Sequence, residues 1–514
     1  MPACPRCGHE TPADELAHAH DYLAWRTPEG ACPACVQQQL LRTLLEQGDA
    51  ALHRAVQTVW PLDPEAAFGA LPTPLRLHAD PRFAGRGVGI ALIDSGFHPH
   101  PDLTSPHNRI RAWSDQGRDP EVTFRFPVDS SPRWPGWDAA ADEQWHGTMT
   151  SVVAAGNGRL SHGLYRSLAP EADVVLLAVR DKAGRITNET IARALEWVLR
   201  HREEFRLRVV NLSCSGDAVD PLAGNPVDRV VARLVEAGVT VVAAAGNSGV
   251  RALLPPATAP DALTVGGIDD QSLLDHRAVA LWHSNYGETT LGAWKPELVA
   301  PSIWVAAPVL PGTAVAVELA GLFARRRAGD RSVDQRLGEL KAITPHYQHA
   351  DGTSFAAPLT TSAVAGLLEA NPALTPAAVR AILLGTAQPV AGASRERQGA
   401  GVLDPGRAVA RALAESHGGR VDGGPSQGPD GVRFRLHDHV ARTVEVYGGW
   451  NDWSEPLAAR AAEPGLWESD PLRLPVGRHP YKFCLDGIRW VDDPANPRKQ
   501  PDGVGGLNAT VEVA

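Results

Sequence analysis

The chain has 514 residues and a mass of 54.7 kDa, which at about 150 residues per domain suggests roughly two to four domains. Its 43% hydrophobic and 21% charged residues are ordinary for a globular protein and exclude collagen-like and disordered classes. With 49 basic against 59 acidic residues the net charge is −10, so we expect neither nucleic acid nor an anionic membrane as a partner.

The N-terminus reads MPACPRCGHE and carries no basic segment followed by an apolar run. No apolar stretch of the sequence is long enough to cross a bilayer. Paired Cys-x-x-Cys thiols suit a reducing compartment. The sequence therefore predicts a cytoplasmic protein.

Residues 1–45 contain two Cys-x-x-Cys pairs, Cys4 with Cys7 and Cys32 with Cys35, separated by 24 residues. Four thiolates in this arrangement can surround one tetrahedral Zn²⁺ and leave no position open for catalysis. The pattern resembles a zinc ribbon, so we predict one structural zinc ion held by these four cysteines. An iron site and a redox dithiol are the alternatives, and the ribbon's role stays open between protein docking, nucleic acid contact and latency.

A helix over Leu40–Val59 and a proline-rich linker are predicted to fill residues 46–85. From Gly87 a different pattern begins and continues to residue 415. Short apolar runs end in turn residues and alternate with helical patterns; these runs are Val88–Ile93, Val174–Val179, Val209–Leu212 and Val239–Ala245. This alternation predicts an α/β domain over residues 86–415, with a mainly parallel sheet covered by helices on both faces.

The C-terminal part of the sequence has a different composition. Residues 416–431 are rich in glycine and proline and are predicted to be a flexible linker. Residues 432–514 show short alternating runs separated by Gly, Pro and Asp turns, and no long helical pattern. They predict a small all-β sandwich.

Three stretches of the α/β region place chemically active residues where a strand or loop meets a helix. Asp94 ends the run Gly-Ile-Ala-Leu-Ile-Asp, His146 lies in Trp-His-Gly-Thr, and Ser354 lies in Gly-Thr-Ser-Phe-Ala-Ala-Pro. Acyl transfer by a serine needs a base to take its proton and an acid to orient that base. A motif such as His-Gly-Thr alone is more often a turn than a catalytic site, so only the motifs together indicate a catalytic site.

These motifs, in the order Asp, His, Ser, resemble the subtilisin-like serine peptidases over about residues 86–415. The resemblance implies that Asp94 orients the imidazole, that His146 is the general base and acid, and that Ser354 is the nucleophile. The stretch Ala-Ala-Ala-Gly-Asn-Ser-Gly matches a further family motif, which implies that Asn247 stabilises the tetrahedral intermediate in an oxyanion hole. None of the triad positions is substituted, which favours an active enzyme over an inactive relative.

The stretch Val-Val-Asn-Leu-Ser-Cys-Ser-Gly resembles the family strand that pairs with an extended substrate, which implies substrate contacts by Ser213, Cys214 and Ser215. Many relatives have Leu-Gly where Cys214 and Ser215 stand. Leu254 aligns with a small residue at the floor of the specificity pocket, unless the loop is shifted by a residue or two. We predict a shallow pocket for small or medium side chains, and Cys214 as a small buried filler rather than a redox switch.

The segment between Pro308 and Gly352 is longer than in the family and combines an apolar stretch, Val315–Phe323, with several basic residues. Because it leads into the nucleophile loop, a lid or an exosite for acidic substrates is one interpretation, and a solvated helical insertion is the favoured one. Calcium is common in the family. Asp102 resembles one calcium ligand, but residues 157–165 offer no convincing carboxylates, so calcium is left uncertain.

The C-terminal region resembles the glycogen-binding module of the AMP-activated protein kinase β subunit, an immunoglobulin-like sandwich. The stretches that carry this resemblance are Tyr-Gly-Gly-Trp-Asn-Asp-Trp, Tyr-Lys-Phe and Asp-Gly-Ile-Arg-Trp. Indole rings stack on the apolar faces of glucose, while Lys and Asn bond its hydroxyls. The resemblance implies glucan contacts by Trp453, Lys482, Trp490 and Asn508; a module that binds only proteins is the alternative.

Together these features predict a serine endopeptidase tethered to an α-glucan such as glycogen, with enzymes of glycogen metabolism as candidate substrates. The alternative is a catalytically silent scaffold that links a protein partner to glycogen. A carbohydrate-active enzyme would need a catalytic domain with paired carboxylates, and the peptidase pattern already occupies residues 86–415.

Overall fold

The computed structural model of the protein describes residues 32–513 except 49–50, 53, 57–70, 138–143, 219–223, 275–278, 290–291, 417–424, 438–440, 442, 464–465, 488, 494–495, 497 and 503–506. The predicted zinc ligands Cys4 and Cys7 lie outside the described residues. The chain divides into two compact units, Met1–Gly406 and Arg407–Ala514. Within the described ranges no helix has the length and apolarity that crossing a membrane requires.

The first unit is built around a large, twisted, mainly parallel sheet. Its described strands, in chain order, are β1 (Gly89–Asp94), β2 (Ile110–Asp115), β3 (Val122–Arg125), β4 (Asp173–Ala178), β5 (Leu207–Leu212), β6 (Thr240–Ala244), β7 (Leu263–Asp269), β8 (Ala280–Leu281), β9 (Gly287–Glu288), β10 (Trp294–Lys295), β11 (Leu298–Pro301), β12 (Val305–Pro308), β13 (Ala342–Thr344) and β14 (Tyr347–Ala350).

The order across the main sheet is β11-β7-β6-β5-β1-β4-β2-β3, with β8 beside β7. All neighbours from β11 to β2 are parallel, and β3 and β8 pair antiparallel with β2 and β7. The prediction of a mainly parallel sheet is confirmed. Strands β9 and β10 form a separate pair, and β12, β14 and β13 form a small antiparallel sheet.

Helices lie on both faces of the main sheet. The described helices are α1 (Pro33–Gln47), α2 (Thr73–Arg76), α3 (Pro101–Thr104), α4 (Trp145–Ala155), α5 (Asn188–His201), α6 (Pro226–Glu236), α7 (Ala314–Arg327), α8 (Asp334–Glu339), α9 (Thr353–Ala370), α10 (Pro376–Thr386), α11 (Arg395–Gln398) and α12 (Pro405–Ser416).

Strand β1 shows why both faces are covered, because every one of its residues is buried. Ala91 and Ile93 pack in one apolar cluster with Ile191 of α5 and Val227 of α6. Successive side chains of a strand point to opposite faces, so Asp94 points to the other face, where α4 and α9 pack.

Helix α1 begins at Pro33 and ends at Gln47, whereas the sequence pattern predicts a helix over Leu40–Val59. Proline fits the first turn of a helix, and Gly48 follows it with a φ of 81°, a conformation that ends helices. The apolar side of α1 packs in one cluster with residues near the small sheet; the members from both parts include Val36, Leu40, Leu41, Leu164, Tyr165, Ile343 and Tyr347. This N-terminal helix is therefore part of the first unit's packing.

The segment between β12 and β13 folds into α7 and α8 around an apolar cluster of its own. The members of this cluster are Val309, Leu319, Leu322, Phe323, Val333, Leu337 and Ala342. Its basic side chains form ion pairs with neighbouring acids: Arg325 with Asp330, Arg326 with Asp334, Arg336 with Glu318, and Lys341 with Asp351. These contacts support a helical insertion rather than a surface of unpaired basic groups waiting for an acidic substrate.

The second unit is all-β among its described residues after α12. Its strands are β15 (Ser426–Gly428), β16 (Gly431–Arg433), β17 (Arg435–His437), β18 (Val444–Gly448), β19 (Leu457–Glu463), β20 (Leu466–Ser469), β21 (Gly477–Leu485), β22 (Arg489–Val491), β23 (Lys499–Pro501) and β24 (Leu507–Val513). The order β17-β20-β19-β18-β21-β24-β23, with β22 beside β21, is antiparallel throughout.

The all-β character predicted for residues 432–514 is confirmed, and the immunoglobulin-like arrangement of the strands stays a prediction. Strand β15 lies inside the predicted linker 416–431 and pairs with β16. In the larger sheet of the second unit, one face is apolar. Alternate residues of β18 and β21, among them Tyr447 and Lys482, point to the opposite face.

Candidate active site

The predicted catalytic residues meet at one edge of the main sheet. Asp94 ends β1, Ser213 directly follows β5, and Asn247 follows β6. Because these strands are parallel, their carboxyl ends lie at the same edge. His146 and Ser354 are in the first turns of α4 and α9, two helices that pack against each other on this face.

Asp94 and His146 form a close pair. Nδ1 of His146 lies 2.8 Å from Oδ1 and 3.0 Å from Oδ2 of the buried carboxylate. The hydroxyl of Thr150 donates to Oδ2 at 3.1 Å, and the backbone N–H of Ser95 donates to Oδ1 at 2.7 Å. Since a carboxylate only accepts hydrogen bonds, Nδ1 carries the proton and Nε2 is left as an acceptor.

Charge and burial act in opposite directions on this pair. Burial alone would lower the pKa of His146, but the charge of Asp94 and its hydrogen bond outweigh it and hold the pKa above the ordinary value. Burial alone would raise the pKa of Asp94, but attraction to His146 and the surrounding hydrogen bonds hold it below the ordinary value. An ionised carboxylate beside an imidazole that readily accepts a proton is the arrangement that general base catalysis needs.

Ser354 is buried in the first turn of α9. The ring of the following residue, Phe355, lies 6.0 Å from the ring of His146, measured between centroids. Gly352 has a φ of 140°, and a Cβ atom placed there would lie 3.0 Å from Oγ of Ser354 and 3.2 Å from Nδ2 of Asn247. Ser354 and Asn247 therefore border the same small space, which only a glycine at position 352 leaves open. We call residues 351–354 the nucleophile loop.

The orientation of the Asn247 amide is fixed by Thr353. Oδ1 of Asn247 accepts hydrogen bonds from the backbone N–H of Thr353 at 2.9 Å and from its hydroxyl at 2.7 Å. A backbone N–H can only donate, so the oxygen must face Thr353 and Nδ2 must face the space beside Ser354. Asn285 holds the loop that carries Asn247, because its Oδ1 accepts a hydrogen bond from the backbone N–H of Ser248 at 2.8 Å.

The residues predicted to border the substrate differ in their exposure to solvent. Ser215 and Leu254 are exposed, and Cys214 is half-buried with its sulfur 3.7 Å from the carbonyl of Ile93. Ser213 is buried instead, and its hydroxyl donates to the backbone carbonyl of Ser354 at 2.9 Å. The contact of Ser213 is thus with the nucleophile's own helix. Burial raises the pKa of the Cys214 thiol well above its usual range, which supports a filler role for this side chain.

A backbone hydrogen bond joins two of the segments predicted to contact substrate. The N–H of Gly216 donates to the carbonyl of Pro255 at 2.9 Å. This bond connects the stretch after β5 with the loop that carries Leu254. The two predicted parts of the substrate site are therefore neighbours in the structure.

Several residues that hold the site residues in place lie outside the sequence motifs or have no predicted role in them. Thr150 lies one helical turn after His146, so the spacing of four residues on α4 could have indicated it. Thr353 and Asn285 could not be found this way. The partner of Thr353 is 106 residues away in the sequence, and the partner of Asn285 is 37 residues away. Asn211, which donates to the hydroxyl of Ser213 at 2.9 Å, lies two residues before it on β5.

The described residues give no support for calcium at the position predicted from Asp102. Its carboxylate is buried and accepts from the hydroxyl of Tyr347 at 2.6 Å and from the backbone N–H of Leu160 at 3.1 Å. Both oxygens are thus satisfied by protein donors, and the guanidinium of Arg109, which donates to the backbone carbonyl of Asp102 at 2.6 Å, adds positive charge nearby. These residues do not fit a calcium ion.

The zinc prediction is only partly covered by the described residues. Cys32 is buried directly before α1, and Cys35 is half-buried within it. The other two predicted ligands are outside the described ranges. Within those ranges no cluster of three or more His, Cys, Asp or Glu side chains could hold a metal ion.

The fold and the site together define a class: an α/β protein that gathers an aspartate, a histidine and a serine at the carboxyl edge of a parallel sheet. The comparison with family models agrees, because the model of the Subtilase family matches residues 85–401. The chain belongs to the subtilase family.

Individual relatives are more distant. The chain is 28% identical to the serine protease AprX of Bacillus subtilis over 308 residues, which is 58% of this chain and 61% of that protein. It is 27% identical over 375 residues to a probable subtilase-type serine protease of Deinococcus radiodurans, 71% of this chain and 45% of that protein. A protease structure from Pseudoalteromonas arctica PAMC 21717 has 20% identity and a TM-score of 0.47, and covers 67% of this chain and 94% of its own. The chain thus spans less than two thirds of these curated relatives.

Proposed function

We propose that the protein is a serine endopeptidase that uses Asp94, His146 and Ser354. The observation that carries the proposal is the buried Asp94 carboxylate bound to Nδ1 of His146, whose ring lies 6.0 Å from that of Phe355, the residue after Ser354, in a chain of the subtilase family. Nε2 of His146 takes the proton of Ser354 as its Oγ attacks the peptide carbonyl. The imidazolium then gives that proton to the leaving amine, and a water molecule, deprotonated by the same nitrogen, releases the acyl group.

The space beside Ser354 suits the developing oxyanion. Nδ2 of Asn247 faces it, and the backbone N–H of Ser354 lies in the first turn of α9, where N–H groups have no partner within the helix. Both donors exist before substrate arrives, so no reorganisation opposes the reaction.

For the substrate, we propose an extended peptide paired along the stretch that contains Cys214 and Ser215, with Leu254 restricting the pocket to small or medium side chains. The exposure of Ser215 and Leu254 and the bond between Gly216 and Pro255 support this placement. Profiling with a peptide library tests it. Preference for Ala, Val or Leu before the cleaved bond is expected, and strong preference for Phe or Tyr would contradict it.

The test of the activity itself compares the new N-terminal peptides in cell extract treated with wild type and with S354A. We expect a defined set of new termini that appears only with the wild type. Extracts that cannot be told apart would contradict the proposal, provided that both proteins are folded. The same experiment reveals the physiological substrates, for which enzymes of glycogen metabolism are the candidates.

We further propose that the second unit binds an α-glucan. Lys482 lies opposite Tyr447 in the register of β18 and β21, on the face away from the apolar cluster, and the ring of Tyr447 is 4.7 Å from that of Trp490. Trp490 is 49% exposed, which leaves an indole face for a glucose ring. Lys482 is paired with Asp502 at 2.5 Å, which fixes the position of its ammonium group. Tyr447 is an addition to the predicted contacts.

The other two predicted contacts have different settings. Asn508 is buried on β24 next to β23, and Trp453 lies in the turn after β18 with its backbone N–H bonded to the carbonyl of Gly448 at 3.1 Å. We keep Asn508 and Trp453 as proposed glucan contacts on the resemblance alone.

Sedimentation with glycogen tests the glucan proposal. W490A should lose most of its binding, because the stacking surface is removed while the apolar face of the sheet is untouched. W294A is the matched control, since Trp294 is 45% exposed but belongs to the first unit. Equal sedimentation of W490A and wild type, or none of the wild type, would contradict the proposal.

We propose a structural zinc ion bound by Cys4, Cys7, Cys32 and Cys35, and a cytoplasmic location, on the grounds given by the Cys-x-x-Cys pattern. Metal analysis of purified protein should find one zinc per chain in wild type and less in C4S and C7S. Wild type without zinc would contradict the metal site.

A further inference from the structure

Arg76 is buried in the first unit although it lies upstream of the residues that match the family model. Only 3% of its side chain is exposed. Its Nε donates to Oδ2 of Asp270 at 2.8 Å, its Nη1 to the backbone carbonyl of Trp304 at 2.8 Å, and its Nη2 to that of Ile303 at 2.8 Å. The donors of a guanidinium lie in one rigid plane, so this side chain fixes a carboxylate and two carbonyls relative to one another.

The two carbonyls belong to a strained turn, residues 302–304, which connects β11 to β12. Trp304 has a φ of 57°, a left-handed conformation that is unfavourable for a bulky side chain. Such a conformation persists only where the surrounding contacts over-determine it. The bonds from Arg76 to the carbonyls of Ile303 and Trp304 are contacts of this kind.

The other side of the same turn holds the nucleophile loop. The backbone N–H of Gly352 donates to the carbonyl of Ser302 at 2.7 Å. The backbone N–H of Trp304 donates to Oδ1 of Asp351 at 3.4 Å. Gly352 is the residue whose conformation leaves the space between Ser354 and Asn247 open.

We infer that Arg76 is a positioning residue for the nucleophile. It fixes the 302–304 turn, and the turn fixes Asp351 and Gly352, which lie three and two residues before the reacting serine. This inference rests on the proposed peptidase function. It also makes the segment around α2 a working part of the catalytic unit, although the family match begins only at residue 85.

The test uses R76M in the full chain, with R82M as the matched control. Arg82 is in the same segment and is also paired with an aspartate, Asp80, but it is 61% exposed and has no bond to the turn. In R76M we expect kcat to fall by about 10- to 100-fold with KM within a factor of two, because misplacing a reacting atom affects the chemical step. R82M should keep the kcat and KM of wild type.

R76M leaves Asp270 buried without its partner, so the double variant R76M/D270N removes the unpaired charge as well. An asparagine at position 270 can still accept from the backbone N–H of Ser272, which donates to Oδ1 of Asp270 at 3.1 Å. A double variant that is folded and has the kcat of wild type would overturn the inference about Arg76 while leaving the peptidase function intact.

Hydrogen exchange provides a reading that needs no catalysis. The peptide that contains Gly352 should exchange faster in R76M/D270N than in wild type, since its N–H bond to Ser302 depends on the turn. R82M should exchange at the wild-type rate. Unchanged exchange of this peptide in the double variant would overturn the inference even if the wild type hydrolysed nothing, in which case the proposed function would fail separately.

Discussion

At the scale of single residues, the state of His146 depends on one neighbour. Asp94 is the charge that outweighs the burial of the imidazole, and the imidazole together with Ser95 and Thr150 holds that carboxylate ionised. The base must be neutral to accept a proton from Ser354, so activity is present above the pKa of His146 and is lost as the pH falls through it. Since this pKa is raised, the acid limb of kcat/KM should have its midpoint above about 6.5.

D94N tests this assignment. Without the carboxylate charge, burial alone acts on the imidazole, so the pKa of His146 should fall below about 6.5, as read by NMR titration. His98 serves as an internal control, because its pKa is lowered by its own burial and should not move. A His146 that titrates at the same pH in wild type and D94N would show that Asp94 does not set its charge.

Asn247 can be tested without disturbing the loop that holds it. N247D keeps the oxygen that accepts from Thr353 but replaces the Nδ2 donor by a second oxygen. We expect kcat to fall by about 10²–10³ with little change in KM, a range that comes from subtilisin itself. A value of kcat within threefold of wild type would remove Asn247 from the oxyanion site.

The sequence predicted those parts of the site whose chemistry lies in short stretches. Asp94, His146, Ser354 and Asn247 each stand in a motif of a few residues, and the structure brings them to one edge of the sheet. Ser213 shows the limit, because its motif suggested a substrate contact while its hydroxyl bonds the Ser354 carbonyl. Which atom a buried hydroxyl meets depends on packing between segments that are far apart in the chain.

At the scale of secondary structure, periodicity predicted the main sheet because its strands are continuous apolar runs. The structure of the insertion between β12 and β13 was harder to predict, since an apolar stretch followed by arginines is compatible with a lid, an exosite or a packed helix. The structure shows an apolar cluster around Phe323 and Leu337, and acids beside the arginines. Exposed ion pairs of this kind contribute little stability, so the apolar cluster is what holds the insertion together.

F323A tests that statement. Phe323 is 1% exposed, and truncating a buried phenylalanine costs about 3–5 kcal/mol. Amide exchange of residues 314–327 should therefore become at least roughly a hundredfold faster. V317A on the same helix, where Val317 is 71% exposed, should leave exchange unchanged. Equal exchange in F323A and wild type would mean that another contact holds α7.

At the scale of the whole molecule, the first unit includes more chain than its family match. Helices α1 and α2 lie before residue 85, yet α1 packs with Tyr347 and α2 carries Arg76. No local sequence pattern indicates this packing, because Arg76 and Trp304 are 228 residues apart. The all-β character of the second unit could be predicted from the sequence, since alternating runs and turns indicate it directly.

Whether Ser354 is an activated nucleophile is tested most directly by labelling with a fluorophosphonate, which reacts with an activated serine. We expect one adduct per chain, located by mass spectrometry on Ser354, absent in S354A and formed far more slowly in H146A. If folded wild-type protein acquires no adduct, or if H146A acquires it at the same rate, Ser354 is not activated by His146, and a catalytically silent scaffold is favoured.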